Sequence, residues 1–114
     1  MTQPASPSVV LVLTTLGASA DATQLARTLV EERLAACVNV LPAMTSIYRW
    51  KGNLEEDREQ QVIMKTTSDR VPALEARLRQ LHSYDVPEFI VIPASGGSAA
   101  YLGWVVESVS GSPA

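Results

Sequence analysis

The residues between Cys37 and Thr67 constrain this chain more than any other part of it. Cys37–Trp50 (CVNVLPAMTSIYRW) reads as extended, with Ile47 and Tyr48 of high strand propensity. Lys51-Gly52-Asn53 supplies a turn. Leu54–Thr67 then returns, polar at first (EEDREQQ) and apolar later (VIM). Pro42 removes one ladder donor, so the first arm should carry a bulge or a change of edge there. Each arm, at about 14 residues, reaches up to roughly 45 Å at ~3.3 Å per residue. A helix of about 14 residues covers only about 20 Å. No helix of this chain can therefore roof the whole ribbon.

The flanking segments supply what the ribbon packs on. Val9–Thr15 (VVLVLTT) is continuously apolar and β-branched, which predicts a strand buried on both faces. Asp21 and Gln24 form a cap pair. Behind them Ala22, Leu25, Ala26, Leu29, Val30 and Leu34 recur at helical spacing over about four turns. Ser68 or Asp69 caps a second helix, with Pro72 in its first turn and Val71, Leu74, Leu78 and Leu81 on one face. Pro87–Ala94 (PEFIVIPA) is a short strand. Ser98 caps a last helix carrying Leu102, Val105, Val106 and Val109. The order is βαββαβ plus a C-terminal helix. It predicts an α+β, ferredoxin-like sandwich with both inner helices on one face of an antiparallel sheet. The domain runs over 9–109, with disordered tails expected at 1–8 and 110–114.

The distal ribbon carries Ile47, Tyr48, Trp50 and Leu54, and its edges offer unpaired backbone groups. A second copy of the chain is the simplest cover, in a closed cyclic oligomer. These four residues are the expected interface, with the hairpin folding back on its own sheet as the alternative.

Composition narrows the function. At 114 residues, 46% hydrophobic and 18% charged, the chain is one globular domain. Nine Lys and Arg against twelve Asp and Glu give a net charge of −3, which speaks against nucleic acid as a partner. The longest clean apolar run, Val9–Leu13, is far shorter than the ~18 residues of a membrane span. One cysteine cannot make an internal disulfide, and residues 1–8 hold no Lys or Arg, so a cytoplasmic location is expected. GxSxG, HExxH, CxxC and P-loop motifs do not occur in the sequence.

Few residues are left to carry chemistry. Cys37 reads either as a soft metal ligand or nucleophile, or as a small core residue. His82, at the end of the second helix, reads as a metal ligand, as a proton shuttle or as a cap. Glu59 and Lys65 stand six apart on one strand and share a face. With Tyr84, Asp85 and Glu88 they suggest a polar cleft or an intersubunit salt bridge. Trp50 and Trp104 read as packing residues.

Several strings together go beyond pattern. Glu32–Asn39 (ERLAACVN), Ser46–Gly52 (SIYRWKG), Lys65-Thr66, His82–Glu88 (HSYDVPE) and Tyr101–Trp104 (YLGW) occur collinearly over about Val9–Val106. This set resembles the CutA family of divalent-cation tolerance proteins. The resemblance implies a ferredoxin-like homotrimer, similar in architecture to the PII signal proteins, with no catalytic activity and no obligatory cofactor. Copper or another divalent metal is the implied ligand. The family's copper site uses a first-strand cysteine and two adjacent histidines before a proline. Thr14, Leu81-His82 and Ser83 stand at those positions, so His82 alone is kept, with Cys37 elsewhere in the chain. The expectations are therefore a metal site on His82 and Cys37, a ligand cleft at Glu59, Lys65, Tyr84 and Glu88, and non-enzymatic action in metal tolerance. The alternatives are a PII-like sensor of a small anion held by Lys65, and an enzyme with Cys37 as nucleophile and His82 as base.

Overall fold

The computed structural model describes residues 8–111. Their order is β1 (Val9–Gly17), α1 (Ala22–Glu31), β2 (Cys37–Val40), β3 (Met44–Trp50), β4 (Asn53–Thr67), α2 (Val71–Leu81), β5 (Ile90–Pro93) and α3 (Ala99–Val109). The result is an α+β chain with one antiparallel sheet and three helices. The sheet order is β2-β4-β1-β5, with β3 continuing beside β4.

The first arm of the ribbon is two strands, and Pro42 is the reason. Val40 faces Val62 and Met44 faces Glu59, so Leu41, Pro42 and Ala43 stand opposite Gln60 and Gln61 alone. One extra residue on one side is a bulge. The Leu41 N–H still donates to the Gln61 carbonyl at 2.9 Å. The arm stays on one edge of β4, so the expected alternative of an edge change does not occur. At the tip, Trp50 faces Asn53. Lys51 (φ 50°) and Gly52 (φ 82°) form a two-residue turn of the primed kind, whose twist suits a hairpin.

Leu54–Arg58 pair with β3 alone, beyond the end of β1, apart from one bond in which the Ala18 N–H donates to the Arg58 carbonyl at 3.1 Å. The ribbon therefore projects, and the chain measures 56 × 29 × 23 Å. Ile47 is 64% and Leu54 73% exposed, with Tyr48 and Trp50 also exposed.

The core lies between the sheet and α1 and α2. Val10, Val12, Leu16, Val62 and Met64 meet Leu25, Leu29, Leu74 and Leu78 there. On the other face α3 covers only one end, where Val105 and Val109 meet Ala36 and Val9. Leu11 and Leu13 are therefore only half-buried, and β1 is fully buried on one face rather than on two.

The Asp21 carboxylate accepts the Gln24 N–H at 3.0 Å, as its position predicts. The helix behind it has ten residues rather than four turns, because a Schellman closure ends it. The Leu34 N–H reaches the Leu29 carbonyl at 3.0 Å and the Arg33 N–H the Val30 carbonyl at 3.1 Å. Arg33 takes the left-handed conformation (φ 58°) that this closure needs. Val30 ends exposed. Neither Ser68 nor Asp69 caps α2. A 3₁₀ turn over Ser68–Arg70 leads into it, and Asp69 accepts from the Thr67 hydroxyl instead. Leu81 also ends exposed, while Leu74 and Leu78 are buried. Ser98 caps α3 through the Tyr101 N–H at 3.1 Å.

The last strand is shorter than Pro87–Ala94, because Pro87–Phe89 belong to the preceding loop. All four residues of β5 are exposed. The tails expected at 1–8 and 110–114 fall largely outside the described residues. Within them, Ser8 accepts the Ser68 N–H at 2.8 Å and Gly111 accepts from Arg70 at 2.6 Å.

Candidate functional site

The hairpin register builds one wall of a cleft. Pairing Met44 with Glu59 and Ser46 with Asp57 brings Tyr48 and Trp50 onto the same face as Asp57, Glu59 and Gln61. The loop after α2 brings Tyr84, Asp85, Val86, Pro87 and Glu88 to the other wall, around a volume of about 600 Å³.

One imidazole fixes that loop. His82 is 9% exposed. Its Nε2 lies 2.6 Å from the Thr15 carbonyl, and its Nδ1 accepts the Tyr84 N–H at 3.1 Å. A carbonyl can only accept and an amide N–H only donate, so the ring is the neutral Nε2–H tautomer. Its face lies 4.7 Å from the Tyr84 ring, centroid to centroid.

Tyr84 in turn donates its hydroxyl to Glu59 Oε2 at 2.9 Å, and Glu59 is only 7% exposed. Tyr48 donates to Asp57 Oδ2. Gln61 Nε2 donates both to the Thr14 carbonyl at 2.8 Å and to Glu88 Oε2 at 3.0 Å. Burial, and then the bond to Glu59, push the Tyr84 phenol up to about 12. The bond to Asp57 does the same first of all for Tyr48, also to about 12. Both phenols are held protonated by the carboxylates they serve.

Three of the expected cleft residues, Glu59, Tyr84 and Glu88, come together here, and Asp85 with them. Lys65 does not. Six residues along β4 from Glu59 is roughly 20 Å. There the Lys65 ammonium donates to the Tyr101 hydroxyl at 3.1 Å and sits 5.4 Å from that ring's centroid. The same bond raises its pKa above the usual lysine value. Cys37 is its cross-strand neighbour, half-buried, with Sγ 4.0 Å from Asn39 Oδ1.

His82 and Cys37 are not brought together. Cys37 pairs at Lys65 on one edge of β4, whereas His82 holds β1 where Thr15 faces Gln61, on the other edge. The offset along the strand alone is roughly 13 Å. The thiol–imidazole pair of a cysteine nucleophile is not formed within the chain. Among the described residues no three His, Cys, Asp or Glu side chains are grouped to hold a metal ion. One chain's donors therefore do not fit a metal centre. Trp50 lines the cleft. Trp104 is partly exposed on α3, with its ring centroid 5.4 Å from that of Tyr101.

Asp57 and Gln61 belong to the cleft and were not singled out by sequence reasoning. The signal was present. A two-residue turn at Lys51-Gly52 fixes Trp50 opposite Asn53, and counting back by pairs puts Asp57 beside Glu59 on the face of Tyr48.

A small antiparallel α+β chain, with a ribbon outreaching its helices and an acidic, aromatic-walled cleft at the ribbon's base, is what sequence and structure define together. The family profile described as CutA1 divalent ion tolerance protein matches residues 10–108. The chain belongs to that family. It is 46% identical over 98 residues to the "Divalent-cation tolerance protein CutA" of Thermus thermophilus, covering 86% of this chain and 95% of that one. It is 51% identical over 94 residues to "Protein CutA" of Mus musculus, covering 80% of this chain and 53% of the relative. The chain thus spans about half the length of the mammalian relatives it matches. The crystal structure of CutA from Xylella fastidiosa superposes with a TM-score of 0.86 at 40% identity, covering 90% of this chain and 99% of that one. Printed names place relatives in more than one compartment, chloroplastic in Arabidopsis thaliana and periplasmic in Archaeoglobus fulgidus. No helix among the described residues is long and apolar enough to cross a membrane.

Proposed function

We propose that the chain acts in divalent-cation tolerance as a non-enzymatic, ferredoxin-like homotrimer in the cytoplasm, with the cleft beneath the ribbon as its ligand site and a neighbouring copy as the cleft's outer wall. The observation that carries this reading is the uncovered ribbon of a chain belonging to a tolerance family. Ile47 and Leu54, and in part Tyr48 and Trp50, present apolar surface that nothing among the described residues shelters. β5 supports it too, since its four residues are exposed and its outer edge has no partner strand among the described residues. The strand order β2-β4-β1-β5 is that of a split βαβ layout once β2 and β3 are taken as one arm.

A copper or other divalent-metal site on Cys37 and His82 needs donors from a second copy, because the two lie apart in one chain, and it needs the His82 ring to give up one of its two hydrogen bonds. Lys65, on which the anion-sensor alternative turns, is taken up by Tyr101. Growth of a gene-disrupted strain under copper, zinc and cobalt stress tests the reading. Sensitivity on disruption that is reversed by the wild-type chain but not by Ile47→Asp is the expected result. Unchanged growth on disruption contradicts it.

A further inference from the structure

We propose that the ribbon is a two-faced docking element, in which the back face of one copy seats on the cleft face of the next and brings Arg49 and Arg58 to its carboxylates. The inference rests on the trimeric reading and names the surface that closes the cleft.

The register divides the ribbon into two unlike faces. Tyr48 and Trp50 share the cleft face with Asp57 and Glu59, so by alternation Ile47 and Arg49 of β3 and Leu54, Glu56 and Arg58 of β4 stand on the back. That back face continues the face that Val62 and Met64 turn towards α1 and α2, past the reach of those helices. Arg58 Nη1 donates to the Thr45 hydroxyl there, at 3.2 Å. Ile47 and Leu54, 64% and 73% exposed, are therefore an apolar patch flanked by two arginines. Neither arginine has an ion pair among the described residues.

What such a patch takes is an acidic, aromatic partner, because a guanidinium both pairs with carboxylates and stacks on rings. The chain carries that partner on the ribbon's other side. The cleft is lined by Asp57, Glu59, Asp85 and Glu88 with Tyr48, Trp50 and Tyr84, and by no Lys, Arg or His.

Symmetry points the same way. A closed ring of three needs a contact between two different surfaces, since a two-fold contact joins only pairs. Cleft against cleft would set carboxylate on carboxylate, and back against back arginine on arginine. Back on cleft is the one arrangement of the two faces in which the charges attract.

Arg49→Lys, treated with a carbodiimide that joins an amine to a carboxylate in contact, tests the seating. Particle mass is read by light scattering on the same sample. The expected link runs from position 49 to Asp57, Glu59, Asp85 or Glu88, in the gel band of two or three chain masses and not in the single-chain band. A second measurement needs no cross-link. Asp57→Asn and Glu56→Gln each remove one negative charge, from the cleft face and the back face in turn. In urea that half-dissociates the wild type, the first should weaken the trimer about threefold and the second strengthen it about threefold, as a partly exposed charge pair implies. A trimer with no link from position 49 to those carboxylates, with that position linked to Glu56 instead, or with both substitutions acting in the same direction overturns this inference alone. A wild-type particle of one chain mass overturns the trimeric reading and this inference with it.

Discussion

The imidazole of His82 sits 2.6 Å from the carbonyl oxygen of Thr15, which ties the loop after α2 to the middle of the sheet. The same ring accepts the Tyr84 N–H, and Tyr84 reaches Glu59. One wall of the cleft is thereby registered against the other through three side chains.

Replacing His82 with Ala should destabilise the chain by about 2 kcal/mol, the worth of one buried and one part-buried hydrogen bond and a stranded carbonyl. Urea denaturation measures it. The loop at 83–88 should lose amide-exchange protection in the same variant. A variant with unchanged stability and unchanged protection would show that the ring does not hold the loop.

Thr14 Oγ1 is buried and has no hydrogen-bond partner among the described residues. A buried hydroxyl without a partner loses its hydration and gains nothing in return. Thr14→Val, close in shape, should therefore stabilise the chain by about 1 kcal/mol. Thermal unfolding of the two proteins side by side checks the sign.

Arg33 closes α1 at φ 58°, where a side chain is strained and glycine is not. It is exposed, and its guanidinium makes no hydrogen bond or ion pair among the described residues. Arg33→Gly should stabilise the chain by about 0.5–1 kcal/mol, less than the full left-handed penalty because glycine also frees the unfolded chain. A lowered urea midpoint would contradict this.

Tyr84 sets an alkaline limit. Its folded pKa is pushed from 10.0 up to about 12 by burial and then by the bond to Glu59. Between those values the unfolded chain releases a proton that the folded chain keeps. Stability is therefore whole below about pH 10 and falls as pH rises towards about 12. Tyr48, raised first by its bond to Asp57, acts in the same direction and window. Tyr84→Phe should flatten part of that slope, measured as the urea midpoint against pH.

Much of the fold was legible because it follows from local rules. Asp21 and Ser98 cap helices wherever their side chains meet an N–H three residues on, and Pro42 forces a bulge because it cannot donate. What escaped depended on partners distant in the chain. Lys65 has a strand position that sequence can place, but its ammonium is turned by Tyr101, 36 residues later. Leu81 and Val30 follow the helical period, yet they are exposed, while Leu78 and Leu29 on the same helices are buried in the core. His82 resembles a ligand in sequence because nothing local reveals the Thr15 carbonyl, 67 residues earlier. Glu59, Tyr84 and Glu88 were found as residues flanking apolar strands. Asp57 was hidden in a run of charges whose facing only the turn register decides.

The most direct test of the assembly is the mass of the wild-type particle in solution. Ile47 and Leu54 are 64% and 73% exposed on a ribbon that projects beyond the helices. Three copies should shelter them. Light scattering on the eluting peak at micromolar concentration should give three times the 12.3 kDa of one chain. A stable particle of 12.3 kDa would contradict it and leave the cleft without its outer wall.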